Sequence, residues 1–108
     1  MDKTTLHNMT VQAFDNLREA RQQLFAQTES AITAKADLET AKYQALIGGV
    51  IDGKNAEIRE AQLKQHLQAE YAKLELAEKQ ERGARYGFDK ASIEVDTVKT
   101  LLRIAELQ

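Results

Sequence analysis

The 108-residue sequence has no cysteine and no proline, and it has only five glycines. The absence of cysteine excludes disulfide bonds, thiolate nucleophiles and cysteine-ligated zinc, so packing alone must stabilise the fold. With no proline present, the stretch LIGGVIDGKNAEIRE (46–60), which holds three of the five glycines, is the main candidate for a break in regular structure.

Strong charge of one sign and long apolar runs are also missing. The formal net charge is -2, which gives the chain no overall attraction to nucleic acid or to an anionic membrane. No run approaches the roughly 18 apolar residues of a membrane span, and the N-terminal MDKTTLHNMTVQAFDNL is polar where a signal peptide has an apolar core. We expect one domain over residues 1–108, in the cytoplasm and with no membrane contact.

A seven-residue apolar repeat dominates what is present. It predicts two coiled-coil helices, at about 5–47 and about 55–107. In the first helix the repeat consists of Leu6, Thr10, Ala13, Leu17, Ala20, Leu24, Gln27, Ala31, Ala34, Leu38, Ala41 and Ala45. In the second it consists of Leu63, Leu67, Glu70, Leu74, Ala77, Glu81, Ala84, Phe88, Ala91, Val95, Val98, Leu102 and Ala105. We call these two sets the seam. The expected fold is all-α, a long antiparallel two-helix coiled-coil hairpin.

The glycine-rich stretch is predicted to be the bend. Gly48 and Gly49 can adopt the left-handed conformation that ends a helix, and Asn55 is a good N-cap for the next one. A phosphate-binding loop is the alternative, but GKNAE follows a helix and lacks the Ser or Thr that such a loop needs after its lysine. With the bend centred between Val50 and Ile51, both residues are expected at a loop tip that tolerates substitution.

A bend at this place sets the predicted pairing of the two helices. Leu38 would lie opposite Leu63 and Ala13 opposite Phe88, so that large side chains mostly meet small ones. The second helix would then project beyond the first by roughly ten residues, TLLRIAELQ, or about 15 Å at 1.5 Å per residue.

A second apolar stripe follows the outer side of the second helix, and we read that helix as continuous through Gly83 and Gly87. Exposed apolar surface of this extent usually marks an interface, so we expect a homodimer or higher oligomer that forms a helical bundle. A monomeric three-helix bundle, broken near Gly83–Gly87, is the alternative. The candidate interface residues are Leu76, Gly83, Tyr86, Ile93, Leu101, Ile104 and Leu107.

Little in the sequence indicates catalysis. The two histidines, His7 and His66, lie far apart in the predicted pairing, and no Glu-x-x-His occurs. We predict no catalytic residue, no metal site, no cofactor and no enzyme activity. One group of cations stands out as a candidate site for an anionic partner, although nearby glutamates favour a salt-bridge network. It consists of Arg18, Arg21, Lys79, Arg82 and Arg85.

The run IDGKNAEIREAQL, followed by a charged helix that ends in VKTLLRIAEL, resembles small helical proteins of unknown activity encoded in phage and prophage genomes. The resemblance covers residues 51–107 and implies a phage-type accessory or interaction protein. Two functions stay open. The first is an oligomeric scaffold, adaptor or inhibitor that binds an unknown protein; the second is a nucleic-acid-associated accessory protein that uses the cation group.

Overall fold

The computed structural model describes residues 2–107, and nearly all of them are helical. Helix α1 spans Lys3–Ile47, α2 spans Ala56–His66 and α3 spans Gln68–Glu106. The long helices α1 and α3 pack antiparallel, and the short helix α2 joins them. The predicted all-α antiparallel helix pair is confirmed.

Helix α1 begins two residues earlier than the repeat indicates because Asp2 caps it. The Asp2 carboxylate accepts a hydrogen bond of 2.7 Å from the Thr5 backbone N–H. This N–H lowers the pKa of Asp2, because it binds the charged form of the carboxyl group. The cap satisfies one of the unpaired N–H groups of the first turn.

The two helix termini that flank the bend have the predicted geometry. The Gly48 N–H donates to the Gln44 carbonyl at 2.9 Å, and Gly49 has the left-handed φ of 74° that ends α1. Asn55 is the N-cap of α2, since its side chain accepts a 2.9 Å hydrogen bond from the Ile58 N–H.

The loop between α1 and α2 folds back onto α2, because Gln62 holds it there. The Gln62 side chain accepts from the Gly53 N–H and donates to the Asp52 carboxylate, both at 2.9 Å. Gly53 is required at this contact, since an added Cβ would lie 2.6 Å from a methyl group of Ile58.

This arrangement corrects the expectation of a tolerant loop tip. Ile51 is only 8% exposed and belongs to a core cluster with Leu63 and Leu67, whereas Val50 is 52% exposed. The loop therefore contributes one residue to the core and one to the surface.

The predicted second helix is interrupted at Leu67, which separates α2 from α3 with φ −109° and ψ 35°. The Leu67 side chain stays in the core, and its backbone keeps hydrogen bonds to the Leu63 carbonyl and from the Tyr71 N–H. Tyr71 also bridges the interruption, because its hydroxyl donates to Glu60 at 3.1 Å. Core packing of Leu67 explains why the apolar repeat passes through this point without a shift.

The Tyr71 ring also contacts α1. The Lys42 ammonium lies 5.4 Å from the centre of the ring and 3.6 Å from the Glu39 carboxylate. Burial lowers the pKa of Lys42, but the Tyr71 hydroxyl and the Glu39 and Glu60 carboxylates raise it by more, so this pKa lies above its ordinary value. The four side chains connect all three helices next to the interruption.

No break occurs at Gly83–Gly87, where α3 is continuous. The alternative of a three-helix bundle broken at these glycines is therefore wrong, because the chain does not turn back there.

The predicted seam is the core. Every seam residue is buried or half-buried except Ala105, which is exposed. Two compact units share it: one consists of residues up to Ala26 with those from Arg82 onward, the other of Gln27–Glu81. The first unit has a core cluster of Ala13, Val95 and Val98, on which Leu17 and Leu102 pack. The second unit has a core cluster that consists of Leu38, Ala45, Ile51, Leu63 and Leu67.

The pairing of the helices differs from the predicted one by about one heptad. In the first unit Ala13 packs with Val95 instead of Phe88, and Lys99 lies over the Phe14 ring, 5.9 Å from its centre. The predicted overhang TLLRIAELQ is wrong for the same reason, because Leu102 packs into this cluster; Gln108 lies outside the described residues. The residues that account for this shift of about one heptad are at the loop, because the loop folds back onto the first turns of α2.

Candidate protein-interaction surfaces

The predicted interface residues form what we call the outer stripe of α3. Leu76, Tyr86 and Ile93 are 55%, 73% and 65% exposed, and Ile104 and Leu107 are also exposed. Leu101 differs because it is half-buried, next to the seam residue Leu102. The stripe lies on the side of α3 that faces away from the seam.

Two glycines, Gly83 and Gly87, lie inside α3 with open space beside them in the described part of the chain. A Cβ built on Gly83 or Gly87 meets no atom within 4 Å, so neither glycine is needed for packing inside the described residues. Each glycine costs about 1 kcal/mol of helix stability relative to alanine. No contact among the described residues offsets this cost.

Helix α1 has an apolar patch of its own. Phe25 is 68% exposed and Ile32 is 57% exposed, while Val11, Phe14 and Leu46 are exposed to a smaller extent. We call these five residues the α1 patch. They are not part of the seam, and each is exposed in the part of the chain that the structure describes.

A third apolar surface, near the loop, is not apparent from the heptads alone. Four more exposed apolar side chains belong to the second unit, Tyr43, Ile47, Val50 and Ile58, and the first two of them define this surface. Ile47 follows Tyr43 by four residues, so the helical spacing places both on one side of α1. That spacing is the signal that could have revealed the surface.

The change of pairing alters the geometry on which the cation group was predicted. In the first unit the shift of about seven residues, or 10 Å, sets Arg85 level with about residue 23, close to Arg21, and Arg82 level with about residue 26. Arg18 forms an ion pair with Asp15 of its own helix. Lys79 lies in the second unit. An anionic partner at these residues stays a prediction.

The described residues contain no group of three or more His, Asp or Glu residues that could hold a metal ion. His7 and His66 are exposed and belong to different units. Between residues 2 and 107, no helix is apolar over enough of its length to cross a membrane.

Comparisons of the chain with protein-family models, curated proteins and solved structures found no match.

Proposed function

We propose that the protein is a non-enzymatic, oligomeric helical hairpin of the cytoplasm that acts as a scaffold, adaptor or inhibitor through protein–protein contacts. The observation that carries the proposal is the row of large apolar side chains exposed on the outer sides of both long helices, Phe25, Ile32, Tyr86 and Ile93 among them. Exposed apolar surface of this kind is typical of interaction sites.

The accessible surface supports the same proposal. It amounts to 8213 Å² for a chain of 12.1 kDa. A folded monomer of this mass exposes about 6000 Å², so the chain has an excess of about 2200 Å². Stable interfaces bury about 800 Å² on each partner, and obligate ones bury more, so the excess is large enough for one or two interfaces.

The two apolar surfaces allow a division of roles. Self-association would cover the outer stripe of α3, and the α1 patch would then bind the unknown protein partner. The resemblance to phage and prophage proteins would make the partner a host or phage protein, and the chain an accessory factor.

Capture of partners by the tagged protein tests this function. We expect proteins that bind the parent chain at moderate salt and are lost from the Phe25→Ser variant, because apolar contacts persist when salt screens charges. Glu29→Ser, at a nearby exposed position of α1, is the matched control and should keep them. Circular dichroism must show equal helicity for all three chains.

Two outcomes would contradict the proposal. One is an identical set of bound proteins for the parent chain and Phe25→Ser. The other is bound nucleic acid that dissociates between low and moderate salt, which would favour the cation group as the binding site.

A further inference from the structure

We propose that α3 pairs with α3 of a second copy, antiparallel about a two-fold axis next to Gly87, so that Gly83 faces the partner's Ile93 and Tyr86 faces the partner's Lys90. This inference rests on the self-association in the proposed function and names the surface, the direction and the alignment of that contact.

The position of the outer stripe makes such a contact possible. Val95 and Val98 are buried in the seam, whereas Ile93 and Thr97 on the other side of α3 are exposed. The side of α3 that faces away from α1 can therefore receive a second helix without disturbing the core.

The outer stripe is complementary to itself when its sequence is read in reverse. In the proposed alignment Ile93 meets the partner's Gly83, and Leu76 meets the partner's Thr100. Continued to the end of α3 and one residue beyond it, the alignment sets Ile104 against the partner's Ala72 and Leu107 against the partner's Ala69. Large side chains thus meet small ones in these four layers, as a close helix–helix contact requires, whereas the two layers beside the axis pair Tyr86 with Lys90. A two-fold axis repeats every one of these contacts.

The alignment also gives both glycines a role. Gly83 provides the space that the partner's Ile93 fills, and Gly87 lies at the axis, where the two backbones are closest. Open space next to both glycines agrees with these roles. Small residues at a helix crossing let two backbones approach each other closely.

Charges beside the stripe favour the same alignment. Arg82 comes next to the partner's Asp96, and Glu75 next to the partner's Arg103. All four residues are exposed, and none forms an ion pair among residues 2–107. One like-charge contact results, between Asp89 and its copy, and it lies beside Lys90 of both chains.

Neighbouring alignments are less favourable. A slide by one heptad in one direction sets Arg82 against the partner's Arg103 and Asp89 against the partner's Asp96, which are like-charge contacts. A slide by one heptad in the other direction sets Ile104 and Leu107 opposite residues that precede Gln68 of the partner, where the partner's α3 has not yet begun. A second copy in the proposed alignment is thus the occupant that this face fits.

Cysteine cross-linking tests the alignment, because the chain has no cysteine of its own. Gly83→Cys and Ile93→Cys are mixed, allowed to exchange and oxidised mildly. We expect disulfide-linked dimers in the mixture and few in either variant alone. In the proposed alignment the two copies of residue 83 are about 15 Å apart along the axis, too far for a disulfide.

The matched control is a mixture of Arg85→Cys and Ser92→Cys. These residues lie at almost the same level in the proposed pairing but on the flank of α3 beside α1, so they should not cross-link. An Arg82→Asp variant should weaken dimerisation about tenfold in sedimentation equilibrium, and Arg82→Asp with Asp96→Arg should restore it, because the pairs are then reversed.

Each other outcome overturns the inference in a recognisable way. Cross-links in the single variants would show parallel pairing. A dimer in sedimentation without a cross-link in the mixture would place the contact on another surface and leave the proposed function intact. A folded 12.1 kDa monomer at all concentrations would remove the dimer, while the capture experiment with Phe25→Ser still tests partner binding.

Discussion

Replacing Ile51 by alanine tests whether the loop is part of the core. Ile51 is 8% exposed and packs with Leu63 and Leu67, although it lies outside every helix. The variant removes three carbon atoms from this cluster. Val50→Ala at the neighbouring position is the matched control, because Val50 is 52% exposed.

The expected loss of stability follows from the buried atoms. Each buried methylene contributes about 0.8 kcal/mol, so three carbons give about 2.4 kcal/mol, and buried Ile→Ala changes cost about 2–5 kcal/mol with the cavity included. The loop can relax toward the gap, so we expect a value near the low end, about 2–3 kcal/mol. Val50→Ala should cost less than about 0.5 kcal/mol.

Thermal and urea unfolding followed by circular dichroism measure both variants at one fixed protein concentration, since self-association would otherwise shift the midpoints. About 4–8 °C per kcal/mol is usual for a domain of this size, so Ile51→Ala should lower Tm by about 10–20 °C. Equal midpoints for Ile51→Ala and Val50→Ala would refute the idea that the loop is pinned to α2.

Two further predictions concern the seam and the start of α1. Leu24→Asp and Leu67→Asp should abolish cooperative helical unfolding, because an unpaired charge in the seam costs several kcal/mol out of a free energy of unfolding of about 5–15 kcal/mol. Thermal melts like those of the parent chain would mean that the seam residues are wrongly assigned. The stabilising Asp2 cap should be fully present above the ordinary pKa of 3.8 and be lost as the pH falls through the lowered pKa of the folded state. The NMR shift of the Thr5 amide should therefore titrate in acid. It should not titrate in Asp2→Asn, because the asparagine amide caps the helix without a charge.

The seam could be predicted from the sequence because apolar spacing alone determines which side of a helix is buried. Thr10, Gln27 and Glu81 were assigned to it by spacing in spite of their polarity, and each is half-buried. The ends at Gly49 and Asn55 were equally predictable, since each depends on local chemistry. These features need no knowledge of what lies across the seam.

The pairing was not predictable to the same degree. A shift of one heptad leaves a Leu/Ala pattern almost unchanged, so Ala13 fits Val95 as well as it fits Phe88. The choice depends on how the loop closes, and this requires the hydrogen bonds of Gln62 to Gly53 and Asp52, which no pattern indicates. The interruption at Leu67 was hidden too, because its side chain keeps its place in the repeat.

The candidate surfaces depend on the same distinction. The outer stripe follows from spacing, and its residues are exposed as expected except for the half-buried Leu101. The cation group depends on which residues face each other across the seam, so an error of one heptad changes the spacing of its members. A surface along one helix can be predicted from spacing alone, whereas the geometry of a site shared by two helices also depends on how the helices pair.

The Leu/Ala pattern that made the pairing ambiguous has an evolutionary consequence. A duplication or deletion of seven residues in α1, matched by one of seven in α3, would keep every apolar side chain on the same side of its helix. Such a change would alter the length of the helix pair by about 10 Å. A single inserted residue would instead rotate all later side chains by about 100°. Descendants of this chain can therefore differ in length by whole heptads while the loop pinned by Gln62 stays the same.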